Sequence, residues 1–341
     1  MKVATFGEIM LRLKSPGQER LFQSPFLEAT FGGSEANVAV ALARLGMPSR
    51  FISVLPDNQI GRECLRQLRG QGVDTESIAV KPGRMGIYFF ENGAMQRASN
   101  VIYDRAGSAL AEVEPRDIDW EKALAGTDWF HISGITPAVS RKGADACFAA
   151  CEAARKAGVK ISFDLNFRAK LWNYGAKAQD VMTGLAEFAD VLIGNEEDYQ
   201  KSLGIEGPKE AGTGAADTAE YGAMCRRALQ RFPRASWAAV TLRESHSADS
   251  NDWSAMLVSR KEVIVSRKYA LRDIVDRVGA GDSFSAGLIY GLSSYPEPAT
   301  VLEFAVAMSC LKHGIPGDFA LLELGEVKKL MEGSGSGRVQ R

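Results

Sequence analysis

The sequence predicts an α/β fold: a doubly wound, mainly parallel sheet flanked by helices, with a small β-sheet lid. From about Asn37 onward, β-rich apolar runs alternate with helical patterns, which is the βαβ rhythm of a parallel sheet covered on both faces. Two other segments alternate apolar with polar side chains, as strands do when one face of their sheet meets water. The two periodicities therefore indicate a large α/β core and a separate small sheet.

The core elements follow the chain as strand–helix pairs. Each pair starts with a short apolar run of strand length and continues with a longer stretch of helical periodicity. The pairs are Arg50–Leu55 before Gly61–Gly70, Trp129–Ser133 before Ala144–Lys156, Val159–Leu165 before Ala178–Phe188, and Val191–Gly194 before a further helix. The first strand is predicted within Met1–Leu13, where Glu8 and Arg12 interrupt the apolar run and argue against a signal peptide.

The lid is predicted from residues 11–31 and 84–105, and Glu91-Asn92-Gly93-Ala94 predicts a hairpin turn within the second segment. Such a flap beside an α/β site is suited to close over a ligand. Residues 1–10, 32–83 and 106–332 are assigned to the α/β core. The run Gly333-Ser334-Gly335-Ser336-Gly337 predicts a flexible tail over residues 333–341.

The charge balance and the cysteines limit the binding partners and the cellular location that the sequence predicts. The 41 basic and 42 acidic side chains of the 341 residues give a net charge of −1, which argues against nucleic-acid or membrane-surface binding. No run approaches the roughly 18 apolar residues of a membrane span. The five cysteines are scattered and odd in number, which favours buried free thiols and a cytoplasmic location. Cys147 and Cys151 are four residues apart and could ligate a metal, but we favour core packing because no histidine or second cysteine pair lies nearby.

The strongest chemical signal is the turn Gly279-Ala280-Gly281-Asp282, which leads directly into an apolar helix. The first backbone amides of a helix lack intrahelical partners, so this turn can bind an anion such as a transferring phosphoryl group. Asp282 at the same helix start could accept a proton from an attacking hydroxyl. Alternatively, Asp282 is only a helix cap and the glycines only make a tight turn.

A second glycine turn, Gly32-Gly33-Ser34-Glu35-Ala36-Asn37, also opens a helix. It permits close backbone approach to a ligand, or it serves only to pack a loop and helix on the sheet. Rival nucleotide signatures are missing from the sequence. It contains no Gly-Lys dipeptide of a Walker loop, and neither glycine cluster completes the Gly-x-Gly-x-x-Gly of a dinucleotide fold.

These two turns, in this order, resemble the ribokinase-like, or PfkB-type, carbohydrate kinases, and the likeness extends over nearly the whole chain. The resemblance implies a ribokinase-like doubly wound domain with a β-sheet lid over the sugar, ATP beside the late turn, and Asp282 as catalytic base. Gly279, Ala280 and Gly281 would stabilise the phosphoryl oxygens.

Finer motifs are similar to one branch of that family, the 2-keto-3-deoxygluconate kinases. By that resemblance the sugar-binding residues are Gly33, Asn37, Tyr88, Tyr103, Arg105, Arg168 and Asp282. The chemistry agrees, because arginine pairs with a carboxylate through two parallel hydrogen bonds and tyrosine adds a rigid hydroxyl. The alternatives are surface ion pairs for the two arginines and lid packing for the two tyrosines.

The nucleotide side is also assigned by resemblance. The cofactor-binding positions are Asn166, Arg168, Asn195, Thr241, Arg243, Ser245, Gly279, Ala280, Gly281 and Asp318. Glu197 and Asp198 would serve Mg²⁺ indirectly, unless the acidic run only complements a helix dipole. A monovalent cation such as K⁺ is expected near Asp276. The chain departs from the family pattern at Arg277, where a threonine is usual, and at Arg243–Ser247, which replaces a glycine-rich loop.

The expected reaction is transfer of the ATP γ-phosphoryl group, with Mg²⁺, to the 6-hydroxyl of 2-keto-3-deoxygluconate. The expected partners are therefore a small sugar acid and ATP, and exposed lid edges favour pairing into a homo-oligomer. A kinase of a neutral sugar such as fructose or ribose is the nearest alternative. A non-catalytic sugar-binding regulator on the same fold is another, and a dinucleotide-dependent oxidoreductase is disfavoured by the incomplete fingerprint.

Overall fold

The computed structural model describes residues 1–208 and 218–333, and its strands form two sheets. In chain order the strands are β1 (Val3–Phe6), β2 (Met10–Lys14), β3 (Glu28–Gly32), β4 (Ser49–Pro56), β5 (Ile78–Lys81), β6 (Ile87–Glu91), β7 (Asn100–Asp104), β8 (Trp129–Ser133), β9 (Lys160–Asp164), β10 (Val191–Gly194), β11 (Trp237–Ser245), β12 (Asn251–Val258), β13 (Val263–Val265) and β14 (Tyr269–Leu271). Residues 334–341, which hold most of the predicted tail, lie outside the described residues.

Eleven α-helices connect or cover these strands in the described part of the chain. They are α1 (Ser34–Arg44), α2 (Gln59–Gly70), α3 (Trp120–Leu124), α4 (Ile135–Val139), α5 (Arg141–Lys156), α6 (Ala178–Ala186), α7 (Glu196–Leu203), α8 (Thr218–Arg231), α9 (Ala280–Ser294), α10 (Pro298–Lys312) and α11 (Leu324–Met331). Within residues 1–208 and 218–333, none of them has the length and apolar character needed to cross a bilayer.

The large sheet has ten strands in the order β13-β12-β11-β10-β9-β8-β1-β4-β5, with β14 beside β12. Neighbouring strands from β5 to β11 are parallel, whereas β12 is antiparallel to β11, β13 and β14. The predicted mainly parallel sheet with flanking helices is confirmed. Because the parallel strands share one direction, their carboxyl ends meet at one edge, where ligands bind in such folds.

Both faces of this sheet are buried, which explains its continuous apolar strands. Successive residues of a strand enter opposite cores: Trp129 packs in the layer with α1, α9 and α10, and Phe130 packs in the layer with α5, α6 and α8. All five cysteines are buried free thiols. Cys147 and Cys151 lie in the second layer, and burial raises the pKa of Cys151 to about 12.

The small sheet has the order β3-β2-β6-β7, in which β2 and β6 are parallel and the other pairs are antiparallel. The predicted hairpin turn is too short, because residues 92–99 connect β6 to β7 and Glu91 still belongs to β6. The backbone groups of Ala94 and Arg97 pair within this longer connection. Its tip lies on the β11–β12 connection, where the Ala248 amide donates to the Met95 carbonyl at 2.7 Å. The tip of the lid therefore contacts the core.

A buried carboxyl group beneath the sheet edge makes stability depend on pH. Glu35 of α1 is fully buried, and its Oε1 accepts hydrogen bonds from the Ser133 amide, the Ser133 hydroxyl and the Thr136 hydroxyl. Burial raises the pKa of Glu35 from 4.5 to about 7, so the folded protein holds a proton there that the unfolded chain releases. The contribution of this protonated carboxyl group to the free energy of unfolding is complete below about pH 4.5 and is lost as the pH rises to about 7.

Glu35→Gln should remove this pH dependence, because the amide stays neutral at every pH. When the pH rises from 4.5 to 8, the free energy of unfolding of the wild type should fall by about 3 kcal/mol relative to that of the variant. Urea unfolding at several pH values measures this difference, with the exposed Glu121→Gln as control. A constant difference between wild type and Glu35→Gln would contradict the assignment.

Candidate active site

A cleft of about 390 Å³ lies between the lid and the carboxyl edge of the large sheet. It is lined by most of the residues predicted from the sequence: Gly33, Asn37, Tyr88, Tyr103, Arg105, Asn166, Arg168, Asn195, Asp198, Thr241, Arg243, Gly279, Ala280, Gly281, Asp282 and Asp318. Ser245 and Glu197 line an adjoining cavity of about 440 Å³, which shares Asn195, Thr241 and Arg243 with the cleft. The two cavities thus bring together every residue predicted for catalysis, sugar binding, nucleotide binding and Mg²⁺.

The late glycine turn forms the start of α9 and borders the cleft. Gly279 is the N-cap with a φ of 81°, and Asp282 is the third residue of the helix. A Cβ on Gly279 would lie 2.1 Å from the Asp318 carbonyl oxygen. Glycine is therefore required for both the left-handed backbone and the close approach. A helix start of this kind can bind an anion, although the Ala280 amide itself donates to the Arg277 carbonyl at 3.3 Å.

The Asp282 carboxylate is held by two donors from α1. The Ser34 hydroxyl donates to Oδ1 and the Asn37 amide donates to Oδ2, both at 2.7 Å. Asn37 is fixed in turn, because its Oδ1 accepts the Gly33 amide at 3.2 Å. Burial raises the pKa of Asp282, and the two hydrogen bonds oppose that shift. The early glycine turn therefore orients the candidate base, and Ser34 is a site residue that the sequence analysis missed.

Three arginines bring positive charge to a cleft that four aspartates also line. Arg168, Arg243 and Arg277 line it, and within residues 1–208 and 218–333 none has a carboxylate partner within 4 Å. Burial, with the nearby charge of Arg243, lowers the pKa of Arg277. Its guanidinium also donates to the Ala248 carbonyl, below the lid tip. Sequence reasoning noted Arg277 only as a departure from the family pattern.

Arg105 differs from these three because it already has a buried partner. Its Nε donates to the Glu8 carboxylate at 2.8 Å, and both side chains are almost fully buried. Ser108 donates to the same carboxylate. Arg105 therefore forms an ion pair, as the alternative to sugar binding predicted, but this pair is buried and does not lie on the surface. Of the two arginines predicted for the sugar carboxylate, Arg168 is the one left without a carboxylate partner in the described chain.

Tyr88 and Asp318, which both line the cleft, contact each other. The Tyr88 hydroxyl donates to Asp318 Oδ1 at 2.6 Å, and Arg12 binds the same oxygen at 2.6 Å. Arg12 also pairs with Asp276 at 2.5 Å. The Arg12 guanidinium already neutralises the Asp276 carboxylate. The predicted monovalent cation therefore does not fit beside Asp276. Arg12 was seen in the sequence only as an interruption of an apolar run.

Two aspartates lie on the floor of the cleft. Asp198 accepts the backbone amides of Asn195 and Phe167, both at 2.8 Å, and so caps α7. Asp198 thus agrees with the alternative in which the acidic run only serves the start of a helix. Glu197 is exposed and lines the adjoining cavity. Asp164, at the end of β9, was not among the predicted residues. Burial and the charges of Asp198 and Asp282 hold its pKa well above the usual range.

The comparisons with known proteins agree with this geometry. A family model described as pfkB family carbohydrate kinase matches residues 1–318. The chain is 30% identical to the 2-dehydro-3-deoxygalactonokinase of Haloferax volcanii over 345 residues, which cover 98% of each protein. It is 29% identical to the 2-dehydro-3-deoxygluconokinase of Thermoproteus tenax, covering 93% of this chain and 90% of the relative. The crystal structure of 2-dehydro-3-deoxygluconokinase from Thermotoga maritima matches with a TM-score of 0.92 and 45% identity, covering 97% of this chain and 99% of that one.

Proposed function

Because the chain belongs to the pfkB family of carbohydrate kinases, we propose that it transfers the γ-phosphoryl group of ATP to the 6-hydroxyl of 2-keto-3-deoxygluconate. The products are 2-keto-3-deoxy-6-phosphogluconate and ADP. The observation that carries the choice of a sugar acid is Arg168, which lines the cleft beside Asp282 without a carboxylate partner among the described residues. Its guanidinium donates to the Phe167 carbonyl and has further N–H groups suited to the substrate's own carboxylate. The names of the similar proteins support the same class of substrate.

The proton transfer is assigned to Asp282. Its carboxylate is held by Ser34 and Asn37 at one end of the cleft, so its remaining lone pairs can receive the proton of the sugar hydroxyl. The Gly279, Ala280 and Gly281 amides then stabilise the charge on the transferred phosphoryl group. The base and the electrostatic stabilisation are thus supplied by one turn.

The nucleotide is proposed to lie along the late turn and across the adjoining cavity. Thr241, Arg243 and Ser245 on β11 line that cavity together with Asn195. Mg²⁺, when bound with the nucleotide, would supply neutralising charge to the phosphates. The exposed Glu197 and the cleft-lining Asp198 would hold this ion indirectly, through their carboxylate oxygens.

A substrate panel tests the proposal directly. The protein is incubated with ATP, Mg²⁺ and, separately, 2-keto-3-deoxygluconate, its galactonate epimer, gluconate, fructose and ribose, and ADP and sugar phosphate are both quantified. We expect the highest kcat/KM for a 2-keto-3-deoxy sugar acid. A preference for fructose or ribose would favour the neutral-sugar alternative, and sugar binding without ADP release would favour a regulator.

Arg168→Ala should reduce the preference for sugar acids. A hydrogen bond to a charged group contributes about 1.5–3 kcal/mol, so the ratio of kcat/KM for the sugar acid to kcat/KM for a neutral sugar should fall by a factor between about 10 and about 160. The exposed Lys170→Ala, two residues away, is the matched control for loss of a nearby charge. An unchanged ratio in Arg168→Ala would assign the carboxylate to another residue.

We also propose the cytoplasmic location and the pairing of subunits through the lid. Five buried free thiols suit a reducing compartment. The lid strands β3 and β7 each have a single neighbour in the small sheet, and most of their residues are exposed. Such edges can pair with a second copy of the chain.

A further inference from the structure

A cluster of four buried charges lies directly behind the late glycine turn. It contains the cations Arg12 and Lys312 and the anions Asp276 and Asp318, all buried. Arg12 bridges the two carboxylates. Lys312, the last residue of α10, is fully buried, and burial lowers its pKa while Asp276 and Asp318 oppose that shift. The cluster is electrically balanced by its own side chains.

The oxygen atoms that could bind a metal cation in this cluster already have protein donors. The Asp276 carboxylate accepts the Val278 amide on one oxygen and the Gly317 amide with Arg12 on the other. The Lys312 ammonium donates to the Ile315 carbonyl at 2.9 Å and to the Asp276 carbonyl at 3.4 Å. Carbonyl and carboxylate oxygens are the ligands that a monovalent cation needs, and here an ammonium and a guanidinium occupy them.

Hydrogen bonds and a close contact connect the cluster and its neighbouring residues to the turn Gly279–Asp282. Ser309, one helical turn before Lys312 on α10, donates its hydroxyl to the Ala280 carbonyl at 2.8 Å. The Val275 amide pairs with the His313 carbonyl at 2.9 Å, which ties the chain before the turn to the loop after α10. Asp318 lies against Gly279. A displacement of residues 312–318 would therefore move the amides that bind the phosphoryl group.

We propose that Lys312 is a built-in counter-cation that, with Arg12, replaces a monovalent metal ion behind the anion-binding turn and makes this kinase independent of K⁺. Lys312 acts as a positioning residue, since it contacts backbone carbonyls and is separated from the cleft by the turn. The inference rests on the family's kinase activity, whichever sugar acid is the substrate.

The first test uses the unaltered protein and needs no variant. Turnover and the affinity for a non-hydrolysable ATP analogue are measured in the chlorides of K⁺, Na⁺, NH₄⁺ and tetramethylammonium at equal ionic strength. ADP is quantified directly by chromatography, because coupling enzymes can have cation requirements of their own. We expect kcat and nucleotide affinity to be the same in all four salts. Activation by K⁺ over tetramethylammonium would overturn the proposal, and nucleotide affinity keeps this test separate from a wrong choice of sugar.

The second test removes the ammonium group. Lys312→Ala should lower kcat by about 10²-fold in tetramethylammonium, since a small displacement of a catalytic turn has that effect. NH₄⁺ or K⁺ should restore much of the activity by filling the vacated position. Lys312→Gln keeps a hydrogen-bond donor without the charge and should be rescued less, because its amide still fills part of the space.

The matched control is Lys156→Ala, the same change at the last residue of α5, where the side chain is exposed. It should show neither loss nor rescue in any of the salts. Full activity of folded Lys312→Ala in tetramethylammonium would overturn the proposal, and so would a loss that no small cation restores. Circular dichroism establishes that the variant is folded before either result is interpreted.

Discussion

Replacing Asp282 by asparagine should lower kcat by about 10²- to 10⁴-fold, the range that general-base catalysis contributes. The change removes the proton acceptor but preserves the shape of the side chain and a partner for the Asn37 amide. Binding of both substrates should therefore change much less than turnover. Direct quantification of ADP at saturating sugar acid and ATP measures this effect, and near-normal turnover would show that Asp282 is not the base.

Ser34→Ala is the informative companion to this variant. It keeps the carboxylate but removes one of the two hydrogen bonds that oppose the rise in the pKa of Asp282. The base must be ionised to work, so kcat should fall as the pH drops through the pKa of Asp282. In Ser34→Ala this acidic limb should move to higher pH, whereas Asp282→Asn should lose it. An unshifted limb would remove Ser34 from the control of the base.

Gly279→Ala should damage both stability and activity. The left-handed φ of 81° alone costs an alanine about 1–2 kcal/mol, and the new Cβ would lie 2.1 Å from the Asp318 carbonyl oxygen. We expect the free energy of unfolding to fall by at least about 2 kcal/mol. Turnover should fall about 10²-fold, since the turn amides move with the backbone. Urea unfolding and the ADP assay measure the two effects.

Gly281→Ala is the matched control, because it makes the same chemical change two residues further along the same turn. Gly281 already has a helical position, and apart from its chain neighbours and its own helix backbone no atom of the described residues lies within 4 Å of an added Cβ. Its stability should therefore be unchanged or slightly higher. Because this Cβ would point into the open cleft, ATP affinity should fall. Equal destabilisation by both changes would contradict the geometric argument for Gly279.

The family, the fold and the kinase activity could be predicted because their signals are local in the sequence. The alternation of strands and helices needs only a short window, and the Gly279–Asp282 turn is four consecutive residues. The structure confirms the α/β sheet, and the comparisons confirm the carbohydrate-kinase family. The role of each site residue stays a prediction, although the cleft and its neighbour bring all of those residues together.

The partners of individual site residues could not be predicted, because they are far apart in the chain. The partner of Arg105 is Glu8, 97 residues earlier, and nothing near Arg105 in sequence reveals that it is already neutralised. Arg12 has its partners 264 and 306 residues later, so it could not be recognised as the occupant of the expected cation position. Ser34 was missed because serine is common at helix starts, and only the folded distance to Asp282 distinguishes it.

The pairing of Arg12 with Asp318 has a consequence for biosynthesis. The two residues are 306 positions apart, and Asn37 and Asp282 are separated by 245. During translation the strands from β1 to β11 can begin to assemble while the C-terminal segment is still inside the ribosome, since domains fold as the chain emerges. The catalytic turn cannot be completed in such a chain, because the residues that support it come last. A nascent or truncated product that lacks Asp282 and Asp318 should therefore be unable to phosphorylate a sugar.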